Sequence, residues 1–130
     1  MVIITKSIYE SAKNDGYRVL ITRYYPRGVS KDRFDEWIPA LAPSSGLLFD
    51  YKKGRIDWPL FVDRLVDEFR GNLDSQEAIR VLNSKARSVN VTLLCYERSG
   101  QKCHRHIVRE IIENPEILKF SVPVKERACA

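Results

Sequence analysis

The stretch that most constrains the fold is an apolar strand, Val89-Asn90-Val91-Thr92-Leu93-Leu94-Cys95-Tyr96. It hands over to an amphipathic helix running from about Lys102 to Asn114, where Pro115 stops it. Upstream, Ile3 to Tyr9 alternates weakly, Lys13-Asn14-Asp15-Gly16 signals a turn, and Tyr17 to Thr22 is apolar. Two further strands are expected there, paired as an N-terminal hairpin. Pro26 and Gly28 break the chain, and Ser30 offers a cap to a short helix with Phe34, Trp37 and Ile38 on one face, ended by Pro39 and Pro43. Leu47-Leu48-Phe49 fits either a strand or an irregular core segment.

Two helices fill the middle of the chain. Behind an Asp57 N-cap, with Pro59 tolerated in the first turn, Phe61, Leu65 and Phe69 recur at i, i+4 and i+8, and Gly71 closes the helix. Asp74 with Glu77 resembles a capping box, and Ala78, Ile79, Leu82 and Ala86 give the next helix its buried stripe. Ile117 to Val124 reads as an edge strand, because Pro123 cannot serve in a central one. Strands interleaved with helices predict an α/β architecture: one domain over residues 1–130, with a largely parallel sheet flanked by helices on both faces.

Composition supports that picture. A chain of 130 residues, 44% of them hydrophobic, buries a core without staples. No apolar run approaches the roughly 18–20 residues of a membrane span, and Met1-Val2-Ile3-Ile4-Thr5 is too short for a signal-peptide core, so the expected address is the cytoplasm. Cys95, Cys103 and Cys129 form an odd set, which predicts reduced thiols rather than a disulfide framework, with Cys129 incidental. The formal charge of +5 reflects 22 basic against 17 acidic side chains, a mild excess whose placement says more than its size. Arg23, Arg27, Lys31 and Arg33 follow one strand, Lys52, Lys53 and Arg55 occupy a loop, and Arg98, Lys102, His104 and Arg105 follow another.

In open parallel sheets, ligands collect beyond the carboxyl ends of the strands. The loops after Thr22 and Tyr96 lie at such ends, so Arg23, Arg27, Glu97, Cys103, His104 and Arg105 are expected to face one cleft. The leading expectation is a basic cleft that binds a phosphate-bearing or other anionic ligand, nucleotide or nucleic acid. Arg23, Arg27 and Arg105 would hold the charge, the helix start would donate N–H groups, and Tyr24 and Tyr25 would offer stacking faces. The rival is a cysteine-dependent enzyme: Cys103, at a helix N-terminus beside Lys102 and Arg105, as nucleophile, His104 or Glu97 handling protons, and Cys95 as redox partner. A third reading is a non-catalytic interaction or regulatory module.

Other chemistries find less support. Cys95, Cys103, His104 and His106 are the right residue types for zinc, but an adjacent Cys-His and a single-residue gap match no standard ligand spacing, so no metal is expected. Cys103 to Arg109 spells the outline of a phosphatase loop, yet Ile107 and Val108 belong to the helix stripe and no glycine lies between. Trp37 and Trp58 read as core or rim packing. No P-loop, dinucleotide glycine pattern or Ser-His-Asp signature is present, so no cofactor is expected.

The segments Asp15 to Lys31, Trp37, Leu41-Ala42-Pro43-Ser44 and Val91 to Glu97, taken with Cys103-His104-Arg105, resemble the domain of unknown function family 488, including its YeaO-like branch. The resemblance spans about Lys6 to Asn114. It implies a small cytoplasmic α/β domain with no assigned activity. Where YeaO-like members commonly carry Asp and Trp, Thr22 and Tyr25 stand here, and many of those members lack the Cys-His-Arg element.

Overall fold

A computed structural model describes residues 1–10, 14–97, 102–119 and 124–125. Strands β1 (Ile3–Ser7), β2 (Tyr17–Leu20), β3 (Glu36–Trp37) and β4 (Val91–Cys95) form one sheet in the order β1-β4-β2-β3. Every pairing is parallel. The expected N-terminal hairpin is therefore corrected: β4 inserts between β1 and β2, with Ile3 opposite Val91 on one side and Tyr17 opposite Val91 on the other. The physical reason lies in burial. All five residues of β4 are buried, and a strand apolar on both faces gains most at the sheet's interior.

Among the described residues, five helices accompany the sheet. In α1 (Ser45–Lys52), the Ser44 hydroxyl accepts from the Leu47 N–H at 3.2 Å, so the Leu47-Leu48-Phe49 segment is helical. In α2 (Trp58–Arg70), Asp57 caps as expected, accepting from the Leu60 N–H at 3.0 Å, and Gly71 follows the last turn. For α3 (Leu73–Lys85) the cap is Asn72, whose Oδ1 accepts from the N–H groups of Asp74 and Ser75, so the Asp74–Glu77 capping box is corrected. Helix α4 (His104–Glu113) matches the helix expected there. Where the last edge strand is expected to begin, at Ile117, the structure has α5 (Glu116–Lys119), a single helical turn that buries Ile117; residues 120–123 of that expectation lie outside the described residues. The helix expected after Ser30 is only a 3-10 turn, Lys31–Arg33, and Trp37 joins β3 instead.

Side-chain alternation sends Val91, Leu93 and Cys95 to one face of the sheet and Thr92 and Leu94 to the other. Val91 and Leu93, with Ile3 and Val19, join the large core that takes Leu47, Phe61, Leu65, Phe69, Ile79, Ile107 and Ile111 from the helices. Leu94, Leu20 and Ile8 form a smaller cluster covered by Val29, Phe34 and Trp37. Among the described residues, the second face is thus covered by the segment around β3 and not by helices, contrary to the expectation of helices on both faces. Cys95 lies on the helix face, and this alternation directs it toward the start of α4.

Candidate functional site

The end of β4 and the first turn of α4 meet at the carboxyl edge of the sheet. Cys95, fully buried at the strand end, and Cys103, 3% exposed at the helix N-cap, are joined sulfur to sulfur as a disulfide, with their Cα atoms 7.7 Å apart. The expectation of reduced thiols is corrected for this pair, because β4 and α4 aim the two side chains at one point. Glu97 adds a carboxylate: its Oε2 lies 3.3 Å from Cys95 Sγ and 3.2 Å from Cys103 Sγ. Both sulfurs thus lie against one carboxylate oxygen, which can accept from their thiols once the disulfide is reduced.

His104 completes the group. Its Nδ1 stands 3.6 Å from Cys103 Sγ, and its Nε2 contacts the carbonyl oxygen of Ile21, just past β2. A carbonyl only accepts, so Nε2 carries the proton and Nδ1 turns its lone pair toward the sulfurs. Burial pushes the imidazole down to about 4, with the Ile21 contact acting in the opposite sense, so the ring is neutral at physiological pH. The ligand atoms of Cys95, Cys103 and His104 all lie within 4.8 Å of one another, a set able to hold a metal ion.

Arg105 points inward, only 1% exposed, where desolvation lowers its pKa and the Glu97 charge opposes that shift. Its Nη1 donates to Cys95 Sγ at 2.9 Å and to the Glu97 carbonyl at 2.5 Å. A buried guanidinium calls for a nearby negative charge, and reduction of the disulfide would let Cys95 supply one as a thiolate.

Cys103, His104 and Glu97 open onto a cavity of about 360 Å³ that is also lined by Tyr51, Trp58 and Phe61. Trp58 stacks on Phe61 at 5.3 Å between centroids, and Tyr51 lies 4.8 Å from Phe61. Among the described residues, two cations stand at this cavity: Lys102 Nζ, 5.9 Å from the Trp58 ring centroid, and Lys52 Nζ, 3.6 Å from Glu97 Oε1. Sequence reasoning missed this wall. Trp58 is 5% exposed and packs as expected, and nothing in its local pattern announces that α1 and α2 turn it toward Cys103. Spacing alone links only Trp58 and Phe61, one helical turn apart.

The remaining predicted residues lie elsewhere. Arg23 donates through Nε to the Pro43 carbonyl and through Nη2 to the Ala42 carbonyl, each at 3.0 Å, and lines a different depression with Glu68 and Ser75. Arg27 is exposed, and its carbonyl accepts from the Tyr9 hydroxyl. Tyr25 packs edge-on against Phe34 and Trp37 and donates to the Val29 carbonyl. Tyr24 is exposed and bonds Ser45. Thus Cys95, Cys103, His104, Glu97 and Arg105 converge, while Arg23, Arg27 and Tyr25 do not line the cavity beside them. Arg98, Pro123 and Cys129 lie outside the described residues.

These features define a class: a small parallel α/β domain bearing a cysteine pair, a carboxylate, an imidazole and a buried guanidinium at one strand end. The chain belongs to the family DUF488-N3a, described as the active DUF488-N3 subclade, whose model matches residues 3–116. It is also similar to the uncharacterized protein YeaO of Escherichia coli (strain K12), 28% identical over 113 residues that cover 85% of this chain and 96% of that protein. No solved structure matches the chain. Among the described residues no helix is long and apolar enough to cross a membrane.

Proposed function

We propose that the chain is a thiol-dependent oxidoreductase that reduces the disulfide of a small anionic substrate, with Cys103 attacking and Cys95 resolving. The observation that carries this reading is the single Glu97 oxygen within 3.3 Å of both sulfurs, beside a guanidinium 2.9 Å from Cys95. Cys103 lines the cavity, so its sulfur meets substrate first. In the reduced protein its thiol proton passes to Glu97, the thiolate attacks one substrate sulfur, and the other leaves as a thiolate that takes that proton. Cys95 then gives its proton to Glu97 and attacks Cys103 Sγ. The second substrate thiolate departs with that proton, leaving the Cys95–Cys103 disulfide. Two electrons pass from the protein to the substrate, and a small-molecule thiol reductant restores the pair. Arg105 steadies the Cys95 thiolate as it forms in that second step, and His104 orients Cys103.

Lys52 and Lys102 supply the charge for an anionic substrate in place of Arg23 and Arg27, and Trp58 and Tyr51 supply a wall for a flat ring. The cytoplasm, with its thiol reductants, is the proposed setting.

The test uses reduced Cys129→Ala protein and 5,5′-dithiobis(2-nitrobenzoate), an anionic aromatic disulfide. The parent should release two thionitrobenzoates per chain and retain none. A Cys95→Ser variant should release one and carry the other on Cys103, visible by intact mass. If Cys103→Ser reacts as fast as the parent, or Cys95→Ser traps no adduct, the assignment fails.

A further inference from the structure

We infer that, with both cysteines reduced, Cys95 Sγ, Cys103 Sγ, His104 Nδ1 and Glu97 Oε2 form a tetrahedral site for a thiophilic divalent cation, with zinc the best match. Four independent features converge on it. The first is the donor set: two sulfurs, one imidazole nitrogen and one carboxylate oxygen suit zinc, which takes such ligands at roughly 2.0–2.3 Å. Donors held at those lengths around a tetrahedral ion stand roughly 3.3–3.8 Å apart, so the sulfurs, bonded to each other here, must part on reduction, while their contacts with Glu97 and His104 already lie near that spacing. Glu97 Oε2 is 3.2 and 3.3 Å from the two sulfurs, and His104 Nδ1 is 3.6 Å from Cys103 Sγ.

The second feature is the backbone span. Disulfides ordinarily join Cα atoms about 4.4–6.8 Å apart. Here the separation is 7.7 Å, a span from which the two sulfurs, once reduced, can part to admit an ion.

The third is the imidazole. Metal-bound histidines typically donate their other ring N–H to a carbonyl or carboxylate, which fixes tautomer and ring direction. The His104 Nε2 contact with the Ile21 carbonyl is that arrangement, and it leaves Nδ1 facing the sulfurs.

The fourth is charge. Two thiolates and a carboxylate around a divalent cation sum to one net negative charge, and the buried Arg105 beside Cys95 Sγ supplies the matching positive charge. The adjacent Cys103-His104 pair fits no standard ligand spacing in sequence. It works in space because Cys103 is the N-cap and His104 the first residue of α4, so their side chains leave the backbone from differently folded positions.

This site is separate from the disulfide-exchange reading. A pair that binds metal but does not reduce the aromatic disulfide upholds it, and a pair that exchanges but binds no metal sinks it alone.

The experiment adds Co²⁺ and then Zn²⁺ to the reduced full-length chain under anaerobic conditions, with a chromogenic chelator as competitor. One equivalent of Co²⁺ should bind with sulfur-to-cobalt charge-transfer absorption and the intense visible bands of tetrahedral Co²⁺, and Zn²⁺ should bleach both. Arg105→Met should weaken zinc by the roughly 10–100-fold that loss of an outer partner costs, and Glu97→Gln or Cys95→Ser by more. Cys129→Ala should bind as the parent does, and chain oxidised to the Cys95–Cys103 disulfide should bind none. Circular dichroism establishes that each variant is folded, and Glu97→Gln, a near-isosteric change beside the cavity, keeps the test open if Cys95→Ser is not. Absence of charge transfer in the reduced parent, or an unchanged spectrum in folded Cys95→Ser or Glu97→Gln, overturns the inference.

Discussion

At the scale of single residues, Gly16 controls how the sheet begins. Its φ is +67°, and a Cβ there would overlap the Asn90 carbonyl, the group that accepts the Tyr17 N–H at 2.8 Å. Gly16→Ala should therefore cost more than the roughly 1–2 kcal/mol of a left-handed backbone alone, read as a shift in the urea midpoint. A smaller loss would show that the β2–β4 junction relaxes freely. Asp35 makes a pH-dependent contribution. It accepts from the Arg18 N–H at 2.8 Å and from Arg18 Nε at 3.3 Å, and the Arg18 side chain holds its carboxyl below the usual carboxylate range. A depressed folded-state value gives stability that is present above the ordinary carboxyl value and lost as pH falls through the folded one. Asp35→Asn should thus be destabilised at neutral pH, and its gap from the parent should narrow as pH drops below about 4. An equal gap in urea melts at every pH would remove Asp35 as the titrating group.

At the scale of elements, helix ends separate what the sequence made legible from what it did not. Helices α2 and α4 were readable because a cap, an apolar stripe and a stop signal agreed in each. The start of α3 was misplaced: both Asn72 and Asp74 are good capping types, and which one caps depends on where the chain leaves Gly71. Asn72→Ala should cost about 0.5–2 kcal/mol in thermal or urea unfolding, and Asp74→Ala less. The reverse order would restore the capping box. Helix α1 was hidden because Leu47-Leu48-Phe49 has no readable period, and its cap is held from a distance by Glu68, which accepts the Ser44 N–H at 2.9 Å. The site divides in the same way. Cys103, His104, Glu97 and Cys95 were legible because strand and helix abut in sequence. The wall of Tyr51, Trp58 and Phe61 comes from helices whose approach no local pattern encodes. The sequence points Arg23 toward a ligand because it does not show that the Ala42 and Pro43 carbonyls already engage the guanidinium.

At the scale of the whole molecule, β4 organises the structure. It is hydrogen-bonded to both β1 and β2, and its Leu93 is fully buried in the core shared with the helices. Leu93→Ala should cost about 2–5 kcal/mol in urea unfolding. A loss near 1 kcal/mol would show the core closing over the vacancy. The place of β4 in the sheet also sets the order in which the molecule is made. A ribosome delivers β1 and β2 long before the strand that must separate and join them, so β1 has no native partner, and β2 only the short β3, until Val91–Cys95 has been synthesised. That late segment ends in Cys95, so the strand that closes the sheet also sets the first sulfur of the site, and Cys103 and His104 follow it within one short stretch of chain. A nascent chain has no functional edge until it has a middle.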